Sequence, residues 1–205
     1  MGHPEEPEGK RETENEPGLR MSEKVVRLHE ALQRAAIPHA FGGAIAVDYY
    51  RVPRTTVDID LNVFVSSEER DRVIEVLAEE FDLPDREALS AEIAKIEQGK
   101  TYWGGTRIDI FFAASEFNES MAERVRVVEY QGGTIPILSA EDILVIKAVF
   151  DRSQDWLDID AVCKVQGDKL DLAYMTKWLG KIIGVSDPRV TRLVQLVEAQ
   201  SKDGA

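Results

Sequence analysis

Three aspartates lie inside two apolar segments of this 205-residue chain. Asp58 and Asp60 alternate with apolar residues in one segment, and Asp109 is flanked by isoleucines in the other. Since side chains at positions i and i+2 of a strand share one face, Asp58 and Asp60 are predicted to point the same way. Clustered carboxylates repel one another unless they are protonated or bridged by a cation. The pattern therefore predicts a bound divalent metal ion, Mg²⁺ or Mn²⁺, held by the three aspartates.

Two glycines, Gly42 and Gly43, precede the first acidic segment and open a stretch with a helical pattern. The N-terminus of a helix presents backbone N–H groups and the positive end of the dipole to an anion. Glycine also lets a phosphate approach the backbone closely. Gly42 and Gly43 are therefore candidates for binding a triphosphate. Arg54 and Thr56, just before the acidic segment, are candidates for further phosphate contacts.

These groups together suit a displacement at the α-phosphate of a nucleoside triphosphate. In such reactions one metal ion activates the attacking hydroxyl, and a second stabilises the pyrophosphate leaving group. Asp58 and Asp60 are predicted to bridge two ions, whereas Asp109 would hold one ion and accept the hydroxyl proton. Either the glycine pair or the aspartate pair alone is common in proteins without this function. Their conjunction in this order is specific.

The elements around these residues predict an α+β fold. Alternation of apolar and polar residues over 57–65 predicts a strand with the acids on one face. Shorter strands are predicted at 39–41 and 106–113, and a hairpin at 125–138. From Ser139 onward the pattern is helical. The expected architecture is a mixed β-sheet core flanked by helices, with a helical C-terminal portion.

The chain is predicted to have three parts. Residues 1–20 contain six Glu and three Pro against three basic residues, so they cannot bury enough apolar surface to fold. We predict that they form a disordered acidic tail. Residues 21–138 are predicted to be the α+β core, and residues 139–205 the helical C-terminal portion.

Composition restricts the class of protein. The formal net charge of −13 argues against an extended nucleic-acid surface, because phosphate neutralisation needs clustered Lys and Arg. Cys163 is the single cysteine, which favours a reducing compartment. No apolar run approaches the ~20 residues of a membrane span, and the N-terminus has no signal-peptide core. A cytoplasmic protein without membrane association is expected.

The three motifs in this order resemble the nucleotidyltransferase superfamily typified by DNA polymerase β. Its pattern is h-G-[GS], then [DE]-h-[DE]-h, then h-[DE]-h, where h is an apolar residue. Here these are Phe41-Gly42-Gly43, Asp58-Ile59-Asp60-Leu61 and Ile108-Asp109-Ile110. The resemblance implies that the three acids lie on neighbouring strands, bind Mg²⁺ and a nucleoside triphosphate, and transfer a nucleoside monophosphate to a hydroxyl.

Two further motifs resemble those of minimal, stand-alone bacterial nucleotidyltransferases, including relatives of AbiEii-type toxins. They are Arg54-x-Thr56-x-Asp58 and Lys147-x₄-Arg152-x₂-Asp155-x₂-Asp158. This resemblance implies ATP or another triphosphate as donor, a toxin–antitoxin role and an antitoxin as partner protein.

Lys147 lies on an apolar helical segment and has two interpretations. It is either a surface lysine of an amphipathic helix or a contact to the phosphate or leaving group. Asp155 and Asp158, three residues apart near a helix start, are predicted to be mainly structural.

Three other functions compete with a general nucleotidyltransferase. The first is a non-catalytic nucleotide-binding or partner-binding module on the same fold. The second is an antibiotic-modifying enzyme whose acidic cleft attracts cationic aminoglycosides. The third is a toxin that modifies tRNA or protein. The sequence leaves the acceptor open among protein, RNA and small molecules.

Overall fold

A mixed β-sheet lies at the centre of the structure, a computed structural model that describes residues 18–51 and 58–202. Within those residues the sheet has six strands. They are β1 His39–Phe41, β2 Asp58–Val63, β3 Gln98–Trp103, β4 Thr106–Phe112, β5 Arg126–Tyr130 and β6 Gly133–Ile137.

Helices cover the sheet and form the C-terminal part of the described chain. They are α1 Met21–Arg34, α2 Gly43–Tyr50, α3 Arg70–Glu80, α4 Arg86–Ile96, α5 Glu116–Glu123, α6 Ala140–Phe150, α7 Ser153–Gln166, α8 Leu172–Ile183 and α9 Pro188–Lys202. Two short 3₁₀ turns, Ser67–Glu69 and Gly167–Lys169, precede α3 and α8. None of these helices combines the length and the apolar character that crossing a membrane requires.

The strand order is β3-β4-β2-β1-β6-β5. Strands β2 and β4 are parallel neighbours, although α3, α4 and β3 separate them in the chain. Strand β1 pairs antiparallel with β2 and parallel with β6, while β3–β4 and β5–β6 are antiparallel hairpins. This topology brings the two acidic segments of the sequence side by side.

Along β2 and β4, apolar and acidic side chains alternate and therefore lie on opposite faces of the sheet. The apolar residues Ile59 and Leu61 of β2 and Ile108 and Ile110 of β4 are fully buried. The acids between them face the opposite side of the sheet, because successive strand side chains alternate. The core therefore holds one face of these strands fixed and leaves the other face for a site.

Local signals explain where several helices begin and end. The Ser139 hydroxyl accepts the backbone N–H of Asp142 at 3.2 Å and caps α6. Helix α4 ends at Ile96, and the following residue, Glu97, adopts a left-handed conformation with φ of 58°. A side chain at Gly99 in β3 would lie 2.6 Å from Leu89. Gly99 therefore allows α4 to pack against the sheet.

The predicted fold class is confirmed: the described chain is an α+β structure with a mixed sheet and a run of helices from Ala140 onward. Helix α6 packs against both α7 and α8, and α9 packs against α7 and α8. The division into a core and a C-terminal portion stays a prediction. The predicted acidic tail falls almost wholly outside the described residues, which begin at Gly18.

Candidate active site

The register of β2 and β4 brings the three aspartates together. Asp60 is the direct Cα partner of Asp109, and Asp58 is the partner of Arg107. Parallel neighbouring strands place paired residues on the same face, so all four side chains share one surface. The predicted juxtaposition of Asp58, Asp60 and Asp109 is thus present in the fold. Their roles as ligands and as base are proposals, taken up below.

Arg107 lies between two of the three acids. Its Nη2 donates to Asp58 Oδ2 at 2.7 Å, and its Nε lies 2.8 Å from Asp109 Oδ2. That buried Nε makes no hydrogen bond of acceptable geometry, so the contact with Asp109 is mainly electrostatic. Sequence analysis missed Arg107. The signal was available, because Arg107 and Asp109 are two residues apart on one strand.

Repulsion among the acids is concentrated on Asp60. Burial, with the neighbouring carboxylates of Asp58 and Asp109, raises the pKa of Asp60 to about 6, while Arg107 and Lys147 partly oppose the shift. A carboxylate in such surroundings gains from any added positive charge. The local field therefore favours a cation at this surface.

The three acids offer carboxylate oxygens on one face of the sheet, which are suitable ligands for a hard divalent cation. Magnesium ions prefer carboxylate oxygens and keep part of their water shell. In the part of the chain that the structure describes, no three His, Cys, Asp or Glu side chains are arranged to ligate one ion. Asp58 and Asp109 are instead engaged with Arg107. Holding a metal would require these carboxylates to turn from Arg107 toward one another.

Gly43 lies directly against the central acid. It begins α2 with a φ of +48°, and a Cβ at this position would lie 1.7 Å from Asp60 Oδ2. Any side chain there would displace the carboxylate, so the close approach requires glycine. Gly42 N–H donates to the backbone carbonyl of Asp60 at 2.8 Å. The glycine pair thus fixes the start of α2 beside the acids.

Two predicted phosphate ligands, Arg54 and Thr56, lie outside the described residues. Their contribution stays a prediction. The described chain resumes at Asp58 in β2.

Lys147 is a buried residue with two carboxylate partners, so the interpretation as a surface lysine is wrong. Only 8% of the residue is exposed. Its Nζ donates to Asp158 Oδ2 at 2.7 Å and to Asp155 Oδ1 at 3.1 Å. Both acids are on α7, the helix after the turn at Asp151. Burial of a lysine and two acids is tolerated here because the charges are paired.

The ionic cluster is extended by residues on the same and neighbouring helices. Arg152 Nε donates to Asp155 Oδ2 at 2.7 Å, and Arg51 Nη2 lies 3.4 Å from Asp158 Oδ1. Burial tends to raise the pKa of Asp155, but hydrogen bonds from Arg152 and Lys147 outweigh it and hold the pKa below its usual value. The predicted structural role of Asp155 and Asp158 agrees with these contacts. Arg51 was missed by sequence analysis because its partner is on a distant helix.

One cavity of about 950 Å³ joins these groups. Gly43, Asp60 and Asp109 line it near the glycine pair, and Lys147 and Arg152 line it near α7. Cavities of 300–1,000 Å³ are typical of small-molecule sites. Most of the predicted site residues that the structure describes therefore open onto one space large enough for a nucleotide and a second ligand.

No protein-family model and no curated protein sequence matches this chain. Solved structures that share its fold include two of one antibiotic-resistance factor. The solution structure of the antibiotic-resistance factor ANT(2″)-Ia matches with a TM-score of 0.51 at 15% identity, covering 88% of this chain and 95% of that one. The crystal structure of ANT(2″)-Ia in complex with adenylyl-2″-tobramycin matches with a TM-score of 0.54 at 16% identity, covering 90% and 98%.

At these identities the similarity establishes the fold. The chain has a nucleotidyltransferase-like fold, which confirms the superfamily resemblance at the level of architecture. The AbiEii-type subgroup stays a prediction.

Proposed function

We propose that this protein is a metal-dependent nucleotidyltransferase. It transfers a nucleoside monophosphate from a nucleoside triphosphate to a hydroxyl acceptor and releases pyrophosphate. The observation that carries the proposal is the pairing of Asp60 with Asp109 across parallel strands, with Gly43 in contact distance of Asp60. A glycine-started helix against a carboxylate pair offers an anion site and a cation site in one place.

Asp109 is the proposed base. Its carboxylate is on the open face of β4 and accepts the proton of the attacking hydroxyl. The hydroxyl oxygen then forms a bond to the α-phosphorus, and the bond from that phosphorus to the bridging oxygen of the β-phosphate breaks. The negative charge leaves with pyrophosphate.

The start of α2 is the proposed site for the β- and γ-phosphates. Backbone N–H groups at Gly43 and the following residues point toward the start of the helix, where its dipole is positive. Lys147 has three ammonium donors, of which Asp155 and Asp158 take two. The third is proposed to contact a phosphate oxygen from the far side of the cavity.

Asp58, Asp60 and Asp109 are the proposed ligands of Mg²⁺ or Mn²⁺. When bound, such an ion lowers the pKa of the attacking hydroxyl and offsets the negative charge of the leaving group. Arg107 holds Asp58 and Asp109 on the same face in the present arrangement. The protein thus keeps two of the three acids close even while a guanidinium pairs with them.

The proposal is tested with labelled nucleoside triphosphates. We expect that Mg²⁺ together with a triphosphate raises the melting temperature, since a ligand that binds only the native state stabilises it. The same triphosphate with a chelator should raise it much less. An equal shift with and without metal would contradict a metal-dependent site. Radiolabel from the α-phosphate should then appear on an acceptor, and label from the γ-phosphate should be released.

Other sequence-based predictions stay open beside this proposal. They are the identity of the triphosphate, with ATP as the first candidate, the toxin–antitoxin role with its antitoxin partner, and a cytoplasmic location. A non-catalytic nucleotide-binding module would show the metal-dependent shift without transfer of label. That result would replace the enzymatic proposal by the binding one.

A further inference from the structure

The side chains with which β2 and β4 line the cavity change from acidic to uncharged along the two strands. On β2 the face residues run from Asp58 and Asp60 to Asn62, and on β4 Asp109 is followed on the same face by Phe111. Asn62 and Phe111 are Cα partners. Two residues further along both strands, the pair of Asp60 and Asp109 is therefore followed by an amide and an aromatic ring.

Beyond Phe111 the lining is mostly apolar. We call this region the apolar half; it comprises Ile96, Phe111, Phe117, Ile146, Phe150 and Ile182. At its border, the Arg152 guanidinium lies 5.0 Å from the centre of the Phe150 ring. Three of these apolar residues are unusually exposed for their type: Ile96 at 52%, Phe150 at 51% and Ile182 at 44%. They come from α4, α6 and α8, three helices far apart in the chain. Exposed apolar side chains that converge on one concave surface indicate a binding site.

Charged side chains also line the cavity. Six carboxylates and four cationic side chains line the whole space. Asp58 and Asp109 pair with Arg107, and Asp155 and Asp158 pair with Lys147. Glu97, beside Ile96 at the end of α4, is the acid that borders the apolar half. Four of the six carboxylates in the lining already have a cationic partner, which weakens their attraction for a polycation.

The position of Asp109 indicates which ligand occupies the apolar half. The proposed triphosphate site is at Gly43, on the Asp60 side of the acid pair. Asp109 is on the neighbouring strand, and its two neighbours on the same face of β4 are Arg107 and Phe111. Arg107 is already paired with Asp58 and Asp109. Because the attacking hydroxyl must reach the base, the Phe111 side is the approach that an acceptor would use.

We propose that the apolar half is the acceptor subsite and that the acceptor is a small hydroxyl compound with an aromatic or aliphatic body. This inference rests on the proposed nucleotidyl transfer and narrows its acceptor. A body of this kind buries against Phe111 and Ile182 while its hydroxyl reaches Asp109. A concave space shared with a nucleotide suits a small molecule better than a protein surface.

The subsite is tested with two probes, 2-naphthylethanol and tobramycin. The first is an uncharged alcohol with an apolar ring system, and the second is a polycation. Binding of each is measured by titration calorimetry in the presence of Mg²⁺ and a non-hydrolysable triphosphate. We expect 2-naphthylethanol to bind more tightly than tobramycin to the full chain.

Two variants place a charge in the subsite, and one serves as a matched control. Ile182→Asp and Ile96→Asp alter the lining at half-exposed positions on two different helices, α8 and α4, so both should fold. We expect each to weaken 2-naphthylethanol binding at least tenfold without changing triphosphate binding. Val185→Asp alters a residue that is 80% exposed and outside the cavity lining. It should bind both ligands as the wild type does.

Four results would overturn the proposal. In the first, tobramycin binds better than the alcohol, and better still to Ile182→Asp. In the second, the variants bind 2-naphthylethanol as the wild type does. In the third, they weaken the triphosphate equally, which would assign the apolar half to the nucleobase. In the fourth, the triphosphate fails to bind even with metal; this result also removes the proposed function, whereas the first three leave nucleotidyl transfer intact.

Discussion

The acid face of the sheet and the cluster around Lys147 both assemble charge, but they balance it differently. At the sheet, Arg107 pairs with two of the three acids, Asp58 and Asp109, and its Nε is buried without a hydrogen bond. In the cluster, Lys147 and Arg152 donate four hydrogen bonds to the side chains of Asp155 and Asp158. The first region is short of positive charge, and the second is compensated internally.

This difference indicates separate purposes. A compensated buried cluster holds helices in register and resists change, since removing one partner leaves an unpaired charge. An under-compensated acid face costs stability unless a cation arrives, which makes it suited to reversible binding. Neutralising one residue should therefore have opposite consequences for stability in the two regions.

The largest effect is expected on activity at the acid face. Asp109→Asn and Asp60→Asn should each lower nucleotidyl transfer on the order of 10²–10⁴-fold, because a base or ligand is lost. The melting temperature at neutral pH should rise in Asp60→Asn, which relieves repulsion. It should change little in Asp109→Asn, which relieves repulsion but also loses a partly exposed ion pair with Arg107. Label transfer and thermal unfolding measure the two quantities.

Asp82→Asn is the matched control for these variants. Asp82 is an exposed acid outside the cavity lining, so both activity and stability should be retained. Wild-type turnover in Asp109→Asn would show that the proposed base is wrong.

The next largest effect is on stability in the Lys147 cluster. Lys147→Met should lower the free energy of unfolding by about 3–5 kcal/mol, because two buried carboxylates lose the cation they share. Asp155 then keeps its contact with Arg152, and Asp158 the longer one with Arg51. Adding Asp155→Asn and Asp158→Asn should recover most of the loss. Urea unfolding measures all three proteins. A Lys147→Met variant as stable as the wild type would remove the distinction between the regions.

A smaller effect is expected from the arginine of the acid face. Arg107→Gln frees Asp58 and Asp109 for an added cation, so Mn²⁺ should bind about two- to fivefold more tightly, as a partly exposed ion pair is worth about 1 kcal/mol or less. Free Mn²⁺ is measured by electron paramagnetic resonance. Arg27→Gln, which removes an ion pair with Glu80 away from the cavity, should leave the affinity unchanged. Weaker binding in Arg107→Gln would mean that Arg107 assists the metal site.

The smallest effect concerns acid stability. The pKa of Asp155 is held below its usual value in the folded protein, so its ion pairs stabilise the fold above the unfolded-state pKa. That contribution is lost as the pH falls through the folded pKa. We therefore expect the wild type to lose more stability than Asp155→Asn below about pH 4. Denaturant titrations at pH 7 and pH 3 measure this difference, and parallel profiles would contradict it.

The acid face could be predicted from the sequence because it follows one rule. Residues two apart on a strand share a face, which placed Asp58 beside Asp60. The same rule applied to Arg107 and Asp109 would have revealed the contact between those two residues. The pair between Arg107 and Asp58 depends on the register of two strands. That the strands of Asp60 and Asp109 are neighbours was predicted from the family resemblance, which rests on the order of the three motifs. Periodicity alone carries no information on which strands become neighbours.

The Lys147 cluster could not be predicted in the same way. Lys147 interrupts an apolar helix pattern, and its burial depends on the turn at Asp151 that folds α7 back beside α6. Sequence spacing does not fix such a helix crossing. Gly99 shows the same limit: it was not singled out for packing, yet its missing side chain lets Leu89 approach the sheet.

The parallel pairing of β2 and β4 also determines the stage of synthesis and folding at which the three aspartates can come together. Arg107 and Asp58 are 49 positions apart. The chain between their strands forms two helices, α3 and α4, and strand β3. Closing so long a loop costs entropy before any pairing is gained, and non-local contacts of this kind slow folding. A chain emerging from the ribosome would hold Asp58 and Asp60 for several seconds before Asp109 is synthesised. The three acids of the proposed site can therefore come together only after β4 has been synthesised and has paired with β2.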